Sequence, residues 1–560
     1  METRQIVVIS GKTCSGKSEL ARLLEKEFGF AVVSNRRWHP NDEWREGMEQ
    51  PDILDRRREL GKAEREQWMF LETKAICAKE KVDRPLVVDH LDTLAQVLLF
   101  RQSFGANLVH VHLYASDTTL QERYATRTEG EADPLPYDEV NQLSGLDEIK
   151  ALKEDADVRI YTERSDSNDT LVRVAARLHL YTPPGIRCVD VLIGGQYGSE
   201  GKGNIVAFLA REYDVMVRVG GPNAGHTVAS SAGPYTYHHL PSGSRDVTAR
   251  LLLGPGMTIH LPGLLREIEE CAISEDRLFI DPQATIIEEA DIGTEKEGHL
   301  VSTIASTGSG SGAAAARRIL DRGKDTVRLA RDVEELRPYV GTPGNYHGST
   351  SERLEEAYHN GHSILLEGTQ GSGLSIFHGA YPHVTSRDTN VAGCLSEAGI
   401  SPSRIRRILM VIRPMPIRVG DPDGDHGHTS GRLKSPTTFD EIAKSADLEA
   451  TVLNAAEKTS TTKRNRRVGW FEWDQFRKAC ALNAPTDIVL TFADYLKSTN
   501  SKARRFEQLD AETIKFVEEL ERVSQAPVSL INTRFPRDPD TSDLRSLIDR
   551  RNWTARSKRR

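Results

Sequence analysis

Short runs of β-branched residues alternate with stretches of helical pattern along most of the chain. The first run, at 6–9, leads into a glycine-rich loop and then into the helical pattern of 19–25. Buried-strand runs follow at 85–89 and 108–114, and a second opening like the first begins near residue 189. Strands that alternate with helices predict an α/β class with mainly parallel sheets and with helices on both faces of the N-terminal sheet.

A stretch that contains proline and glycine separates the two openings. It reads Tyr181-Thr-Pro-Pro-Gly-Ile-Arg187, which has the character of a linker. A chain of 560 residues is long for one domain, and two or three are expected. We therefore predict a first domain over 1–183 and a larger second domain over 184–560, in which 291–360 forms loop and helices.

The composition is that of a soluble globular protein, with 38% hydrophobic and 28% charged residues. The net charge is −8, so there is no overall positive potential and nucleic acid is not an expected partner. The basic tail over 550–560 is interpreted as a solvated end. No segment approaches the ~18 apolar residues of a membrane span. The six cysteines form no CxxC pair, which favours a reducing compartment, and we predict a cytoplasmic location.

The loop after the first run has the full phosphate-binding pattern. Gly11-Lys-Thr-Cys-Ser-Gly16-Lys17-Ser18 fits G-x-x-x-x-G-K-[ST] and lies between a strand and a helix, as the motif requires. Backbone N–H groups would cradle phosphates at the helix N-terminus. Lys17 would reach the β- and γ-phosphates of a nucleotide, and Ser18 would hold Mg²⁺.

Residues 1–180 together resemble the nucleoside monophosphate kinases. After the P-loop comes Asp89 at a strand end, then a helical segment that carries Arg123 and Arg127. Asp89 is a candidate for a water-mediated contact to Mg²⁺, and the alternative is a strand-end cap. The arginines resemble lid residues, and the alternative is a solvated helix face. The resemblance implies a fused nucleotide kinase, and the alternative is a nucleotide-gated module that regulates the second domain.

The second domain carries a longer signature. Gly-Gly-Gln-Tyr-Gly-Ser-Glu-Gly-Lys-Gly occupies 194–203, and Gly-Gly-Pro-Asn-Ala-Gly-His-Thr occupies 220–227. Together they resemble the active site of the adenylosuccinate synthetase family, and the resemblance runs nearly end to end over 188–560. That family joins L-aspartate to a 6-oxopurine nucleoside monophosphate at the expense of a nucleoside triphosphate. The resemblance implies a P-loop-related α/β domain that uses Mg²⁺ and a nucleoside triphosphate.

The resemblance assigns roles to residues of these two loops. Lys202 matches the lysine that contacts the transferring phosphate, and His226 matches the catalytic histidine that stabilises the 6-oxygen. Asn223 corresponds to a base contact, and the Gly225 carbonyl corresponds to a magnesium ligand. The remaining positions assigned to nucleotide binding in the first loop are Gly198, Glu200, Gly201 and Gly203.

Two later segments match loops that hold the nucleoside monophosphate. Thr307 lies in the Gly/Ser loop 306–312, in which successive backbone N–H groups suit a phosphate. Gln370 and Thr385 match a glutamine and a threonine that hold the purine and its phosphate. Gln370 is also assigned a part in catalysis.

A third segment, 461–470, matches the loop that binds aspartate. Arg464 and Arg466 would fork onto the two carboxylates of aspartate, because a planar guanidinium recognises a carboxylate with two hydrogen bonds. Thr461 and Thr462 complete the substrate-binding residues of this loop. The alternative for such a basic stretch is a solvated loop.

Residue 199 departs from the family pattern. The family normally has an aspartate there, which is its catalytic base and a magnesium ligand, whereas this chain has Ser199. Serine resembles the phage branch, the 2-aminoadenylosuccinate synthetases, which act on guanine nucleotides. The amino group at C2 of guanine lies beside N1, where serine is small enough to fit and can accept a hydrogen bond. We keep Ser199 as the catalytic and metal-site candidate, with Glu200 as one possible replacement for the missing base.

The segment Thr491-Phe-Ala-Asp494 departs from the family's Thr-Lys-x-Asp, which reads the guanine of GTP. Asp494 keeps its place among the nucleotide-binding residues, but Phe492 replaces the lysine. A late loop that begins at Asn532 also lacks the expected glycine. We therefore predict ATP or dATP as phosphoryl donor in preference to GTP.

The leading hypothesis is a bifunctional enzyme that ligates L-aspartate to dGMP or GMP and carries a fused nucleotide kinase. The alternatives are an IMP-dependent adenylosuccinate synthetase and a regulatory paralogue marked by Ser199. The family resemblance also implies a homodimer in which an arginine of the neighbour reaches the nucleotide. Candidates for that residue are Arg317, Arg318 and Arg322.

Overall fold

The protein is described by a computed structural model over these stretches: 5–34, 84–91, 93–129, 136–143, 148–181, 185–229, 233–298, 300–340, 348–420, 429–458, 464–534 and 546–555. The chain divides into two compact units, Met1–Tyr181 and Thr182–Arg560. The predicted boundary near Pro184 lies next to this division. Each unit has its own sheet and its own apolar cores.

A five-stranded sheet forms the centre of the first unit, in the order β2-β3-β1-β4-β5. Its strands are β1 Ile6–Ser10, β2 Ala31–Ser34, β3 Leu86–Leu91, β4 Leu108–Tyr114 and β5 Val158–Tyr161. All neighbours are parallel, and Ile6 of β1 pairs with Leu86 on one side and with Leu108 on the other. The P-loop therefore follows the strand at which the sheet order reverses, where open α/β sheets bind their ligands.

Helices cover both faces of this sheet. Those in the described part of the unit are Lys17–Phe28, Leu94–Phe104, Asp117–Arg127, Tyr137–Leu143, Ile149–Asp155 and Ser167–Arg177. Val7 packs in one apolar cluster with Leu20 and Leu171, whereas Val8 packs in another with Val97. Since successive strand residues point to opposite faces, these are two separate cores, one on each side. The predicted α/β class is confirmed.

A nine-stranded sheet organises the second unit, in the order β12-β10-β7-β14-β6-β15-β19-β20-β21. Its strands are β6 Val189–Gly194, β7 Val215–Arg218, β10 Arg250–Leu253, β12 Leu278–Ile280, β14 Ile364–Glu367, β15 Ile405–Ile412, β19 Asp487–Leu490, β20 Val528–Asn532 and β21 Leu547–Asp549. Neighbours are parallel except β20 with β21. Alternate residues of β6 again enter different cores, with Val191 in one and Leu192 in the other.

Shorter elements decorate this sheet. The small strands are β8 His226–Val228, β9 Tyr235–Tyr237, β11 Thr258–Ile259, β13 Thr285–Ile286, β16 Ile417–Val419, β17 Pro436–Thr437 and β18 Arg466–Gly469. The α-helices are Lys202–Leu209, Leu261–Glu270, Glu289–Glu297, Leu300–Ile304, Ser311–Leu320, Thr350–His359, Val391–Ala398, Phe439–Ala446, Ala450–Ala456, Trp473–Asn483 and Ala511–Ser524.

The strand order places the predicted site loops at one edge. β6 lies between β14 and β15, and β7 and β19 are the next strands outward. Because these five strands are parallel, the loops that follow them begin at the same edge of the sheet. Those loops carry the 194–203 signature, the 220–227 signature, Gln370 and the 491–494 segment.

Candidate active site

The 194–203 loop turns sharply from β6 into the helix Lys202–Leu209. Ser199 adopts a φ of 56° and Gly201 a φ of 83°, both in the left-handed region. A Cβ on Gly201 would lie 3.3 Å from the Phe492 ring as well as being strained by that φ. The turn places the N-terminus of the helix directly after the glycine-rich loop, which is the arrangement that binds phosphate.

Glu200 is enclosed within this loop. Its carboxylate accepts hydrogen bonds from the backbone N–H of Gln196 (3.1 Å) and Gly198 (2.8 Å) and from Lys202 Nζ (2.7 Å). The residue is 0% exposed. Glu200 therefore shapes the loop and holds Lys202, and it does not present a carboxylate to a substrate as a replacement base.

Three side chains tie the loop to neighbouring elements. Gln196 pairs with both backbone groups of Arg413, which follows β15, at 2.9 and 3.0 Å. Thr491, which follows β19, donates to the Glu200 carbonyl at 2.7 Å. Gln475 donates to the Gly195 carbonyl at 2.7 Å. The loop is thus braced by side chains from distant parts of the sequence.

Ser199 is exposed, and both of its oxygens meet arginines. Arg466 Nη2 donates to the Ser199 hydroxyl oxygen at 3.4 Å, and Arg413 Nη1 donates to the Ser199 carbonyl at 3.3 Å. The sequence predicted Ser199 and Arg466 for one active site, and the structure brings them together. Arg413 had no motif to mark it.

A buried carboxylate joins the two arginines. Glu457 accepts from Arg413 Nη2 and from Arg466 Nη1, each at 2.7 Å, and from the hydroxyl of Tyr495 at 2.7 Å. Burial alone would raise the pKa of Glu457, but the two guanidinium groups outweigh it and hold that pKa at about 2. Glu457 therefore orients Arg466 through Nη1, and the binding of aspartate by Arg464 and Arg466 stays a prediction.

His226 begins β8 and is oriented by a second buried carboxylate. Its Nδ1 lies 2.5 Å from Glu367 Oε1, and Arg218 Nη1 lies 3.0 Å from the same oxygen. Burial and the nearby Arg218 lower the pKa of His226 to about 4, so the ring is neutral at pH 7. The Nδ1–H then donates to Glu367, which leaves Nε2 as the nitrogen that can meet a ligand.

The structure also brings together Gln370 and Thr385. Gln370 has a φ of 62°, and its Nε2 donates to Thr385 Oγ1 at 2.8 Å. Its amide oxygen is buried and has no hydrogen-bond partner among the described residues. Buried amide oxygens are normally paired, so this oxygen is a candidate acceptor for a hydrogen bond from a ligand.

The Gly/Ser loop is held by Glu295, an acid on the helix Glu289–Glu297 that sequence reasoning missed. Thr307 donates to Ser309 Oγ at 3.1 Å, and the loop leads into the helix Ser311–Leu320. Glu295 accepts from the backbone N–H of Gly310 (2.9 Å) and Gly312 (2.7 Å) at that helix N-terminus. No short motif marks Glu295, which acts from fifteen residues upstream.

The remaining predicted residues of the second unit are placed as follows. Asn223 and Gly225 are half-buried in the loop before β8, and Gly198 and Gly203 lie in the phosphate loop. Asp494 is buried in the loop after β19, next to Phe492. Arg464 lies just before β18, whereas Thr461 and Thr462 lie outside the described residues.

The P-loop of the first unit is folded onto its own lysine. Lys17 Nζ donates to the carbonyls of Gly11 (2.6 Å) and Lys12 (2.9 Å). Gly16 directly precedes Lys17 in this loop. Ser18 is exposed at the start of the helix Lys17–Phe28, and Asp89 is buried in β3. Lysine and the helix N-terminus are therefore grouped as a phosphate site requires.

Behind this P-loop lies a buried polar cluster. Ser10 Oγ lies 2.7 Å from His110 Nε2 and 2.8 Å from His112 Nδ1, and Asp155 Oδ2 lies 3.0 Å from His110 Nδ1. Burial lowers the pKa of His110, and burial together with His110 lowers the pKa of His112 to about 3. Both rings are therefore neutral at pH 7, and the enclosed cluster supports β1 and β4.

Among the described residues no group of three or more His, Cys, Asp or Glu is arranged to hold a metal ion. Magnesium usually keeps several waters and binds through one or two protein ligands together with substrate phosphates. The Ser18 hydroxyl at one phosphate loop and the Gly225 carbonyl near the other fit that mode. No helix in the described part of the chain is long and apolar enough to cross a membrane.

The chain matches two families. A sequence model of adenylosuccinate synthetase matches residues 191–337 and 313–501, and a model of an AAA domain matches 7–144. The adenylosuccinate synthetase of Methanococcus maripaludis is 35% identical over 362 residues, which cover 63% of this chain and 98% of that protein. The enzyme of Methanocaldococcus jannaschii is 33% identical over 364 residues, which cover 64% and 97%.

Two solved structures resemble the second unit. The cyanophage S-2L succinoaminodeoxyadenylate synthetase, bound to dGMP and to dATP as an energy donor, matches with a TM-score of 0.52 and 25% identity over 65% of this chain and 95% of that chain. The fully ligated adenylosuccinate synthetase of Plasmodium falciparum has a TM-score of 0.54 and 21% identity, over 65% and 100%, and so supports the fold. The signature loops and this fold agree with the family model, and the match spans nearly the full length of the relatives. The chain therefore belongs to the adenylosuccinate synthetase family.

Proposed function

We propose that the second unit ligates L-aspartate to C6 of a guanine nucleotide, dGMP or GMP, with ATP or dATP as the phosphoryl donor. The observation that carries this proposal is Ser199, an exposed hydroxyl where the family has an aspartate. The phage relative solved with dGMP and dATP supports the same substrate pair. The product is an N6-succino-2-aminoadenine nucleotide.

The reaction has two steps. The γ-phosphoryl group passes from the donor to O6 of guanine, which releases the nucleoside diphosphate while the N1 proton leaves to solvent. The amine of aspartate then forms a bond to C6 and loses a proton to solvent, the C6–O bond breaks, and inorganic phosphate departs. Lys202 and the N-terminus of the helix Lys202–Leu209 stabilise the transferring phosphoryl group, as preorganised donors do in phosphoryl transfer.

Ser199 suits the C2 amino group of guanine. Its oxygen already accepts from Arg466 and keeps a further lone pair for an amine N–H. Gln370 contributes a second acceptor, its buried amide oxygen. An aspartate at 199 would be larger and charged, and it would attract Arg466. Without the family's aspartate at 199, the N1 proton is removed by water. The loss of that general base lowers the rate of phosphoryl transfer by about 10²–10⁴-fold.

His226 and its partner act on the 6-oxygen. Glu367 accepts from Nδ1–H and fixes the ring. Nε2 stabilises the 6-oxygen as an N–H donor, so the ring takes up a second proton as negative charge develops on that oxygen. Magnesium, when bound with the nucleotide, neutralises charge on the donor phosphates. The Gly225 carbonyl is the protein group that we assign to it, because both lone pairs of the Ser199 hydroxyl are taken by Arg466 and the C2 amino group.

Donor selectivity is proposed to favour adenine. The family's guanine-reading lysine is absent, since Phe492 takes that place and is 5% exposed. Asp494, buried beside it, is the remaining candidate for a contact to the base of the donor.

The test is a substrate panel read by mass spectrometry. The purified chain receives L-aspartate and Mg²⁺ with IMP, GMP or dGMP, and with ATP, dATP or GTP as donor. We expect a succinylated product from the guanine nucleotides with the adenine donors. Product from IMP alone would overturn the guanine proposal and favour IMP-dependent adenylosuccinate synthesis.

We further propose that the first unit is a nucleotide kinase. Its full P-loop and the buried Lys17 support phosphate binding, and the placement of the loop after β1 supports a nucleotide ligand. Lys17→Ala should abolish phosphotransfer and leave ligation unchanged, with Lys26→Ala on the same helix as a control. A ligation rate that changes in Lys17→Ala at saturating donor, and not in Lys26→Ala, would instead indicate a regulatory module.

We propose a homodimer for the second unit. Of the three candidate arginines, Arg317 is paired with Asp291, and Arg318 donates to two backbone carbonyls and to Thr285. Arg322 is exposed, and Leu320 beside it is 79% exposed. Arg322 is therefore the candidate that a neighbouring subunit could receive.

A further inference from the structure

Arg413 is a fully buried cation beside the Ser199 loop. It is 0% exposed and follows β15, and both of its backbone groups pair with Gln196. Nη1 reaches the Ser199 carbonyl, and Nη2 reaches Glu457. One buried guanidinium thus contacts the substituted loop position and the acid that precedes the aspartate-binding segment.

The contacts around Arg413 close into a ring. Arg413 holds the Ser199 carbonyl, Glu457 bridges Arg413 to Arg466, and Arg466 holds the Ser199 hydroxyl. The two oxygens of Ser199 are therefore set by opposite ends of one ion cluster. A shift of Arg413 moves Ser199 directly and moves Arg466 through Glu457.

The Phe492 ring packs against the Arg413 guanidinium of this cluster. Its ring centre lies 4.2 Å from the Arg413 guanidinium, in a cation–π arrangement, and the ring also approaches Gly201. An arginine stacks well on an aromatic face, whereas a lysine at 492 would bring a second buried cation against Arg413. The departure at 492 is thereby linked to the departure at 199.

We propose that Arg413 is a positioning residue for the ligation reaction and that Phe492 acts by seating Arg413. This inference rests on the proposed function, and it deepens that function by naming what sets Ser199 and Arg466. Phe492 then influences donor choice only indirectly, because its ring face is used by Arg413. Replacing Phe492 with the family's lysine should damage aspartate use without conferring GTP use.

The experiment compares kinetic constants in the full chain. Arg413→Lys keeps the charge but loses the two-pronged contact, and it should lower kcat/KM for aspartate by about 10- to 100-fold, the scale of an ångström misplacement. The KM for the donor should change much less. Phe492→Tyr keeps the aromatic face and should behave as wild type, Phe492→Leu should show an intermediate loss, and Phe492→Lys should show the largest.

Arg407, within β15, provides a control. Its guanidinium stacks on Trp553 at 4.4 Å and pairs with Asp487 at 3.2 Å, so it has the same kinds of partner as Arg413 but is partly exposed. Arg407→Lys should leave the KM for aspartate unchanged. The pair Arg413→Lys and Phe492→Leu should be non-additive, because the two side chains touch.

Each outcome decides the matter. A Phe492→Lys variant that gains GTP use and keeps its KM for aspartate would overturn the inference, since Phe492 would then face the donor base. Equal effects of Arg407→Lys and Arg413→Lys would reduce Arg413 to a stabilising role. If Arg413→Lys fails to fold, the Phe492 series tests the same claim. Wild-type chain that forms no product from any purine monophosphate would contradict the proposed function instead.

Discussion

At the scale of single residues, buried charges decide what the exposed ones can do. Ser199 stands in a left-handed backbone conformation that aspartate also tolerates, so exchanging these residues changes chemistry more than backbone. Glu200, beside it, is fully enclosed by three donors and acts as a brace. Ser199 therefore presents an exposed hydroxyl that accepts from Arg466, with no exposed carboxylate beside it in its loop.

A prediction at this scale concerns Glu367. Glu367→Gln weakens the acceptor that orients His226, so kcat for ligation should fall by about 10²–10⁴-fold, as for loss of an acid–base group. Glu267→Gln is a matched control, because Glu267 is also buried and lies 3.0 Å from a histidine Nδ1, that of His239. Equal kcat values for the two variants would contradict the role of Glu367.

A second residue-scale prediction concerns pH and His112. Its folded-state pKa of about 3 lies below the ordinary 6.5, so the unfolded chain binds a proton that the folded unit excludes. The stability of the first unit should fall as pH drops from about 6.5 toward 3, by at most about 1.4 kcal/mol per pH unit from this group. Above that window the contribution is constant.

Calorimetry of the full chain at pH 7.5 and 5.5 measures this effect. His112→Asn should make the transition of the first unit less sensitive to pH than in wild type. His179→Asn is the control, since His179 is exposed and asparagine tolerates its φ of 54°. An unchanged pH sensitivity in His112→Asn would show that His112 does not cause the loss of stability at low pH.

At the scale of elements, parallel strand ends gather the site. β6, β14, β15 and β19 end at one edge, and the side chains that follow them brace the phosphate loop. Gln196 matters most here, because its amide satisfies both buried backbone groups of Arg413. The phosphate loop and the end of β15 are therefore held together by Gln196.

The element-scale prediction is that Gln196→Leu weakens the contact between the phosphate loop and the end of β15 and lowers the stability of the second unit. It leaves a buried N–H and a buried C=O unpaired, at about 1–3 kcal/mol each. Urea unfolding followed by tryptophan fluorescence should show a lower midpoint, and the KM for aspartate should rise because Arg413 moves. A stable variant with normal kinetics would show that Arg413 does not depend on this clamp.

At the scale of the whole molecule, sequence and structure contributed different parts. The α/β class and the P-loops could be predicted because strands, glycine turns and helices leave local patterns. Ser199 and His226 could be placed because they lie in contiguous motifs. Glu457, Glu367 and Arg413 could not, because a lone buried acid or arginine has no local signature and its partners lie far away in sequence, such as Gln196, 217 residues from Arg413.

The whole-molecule prediction is that the chain is a homodimer through the surface that carries Leu320. Leu320→Asp places a charge on this exposed apolar side chain and should shift the mass from dimer to monomer in light scattering. Arg322→Ala should lower nucleotide affinity while leaving the mass unchanged. A wild-type chain that is monomeric at high concentration would contradict both expectations.

The central claim is that Ser199 selects a guanine nucleotide, and a competition assay tests it most directly. Wild type and Ser199→Asp receive equimolar IMP and dGMP with L-aspartate, ATP and Mg²⁺, and the products are separated by mass. We expect succinylated product mainly from dGMP in wild type and a shift toward the IMP product in Ser199→Asp. Product from IMP alone in wild type, or an unchanged product ratio in Ser199→Asp, would contradict it.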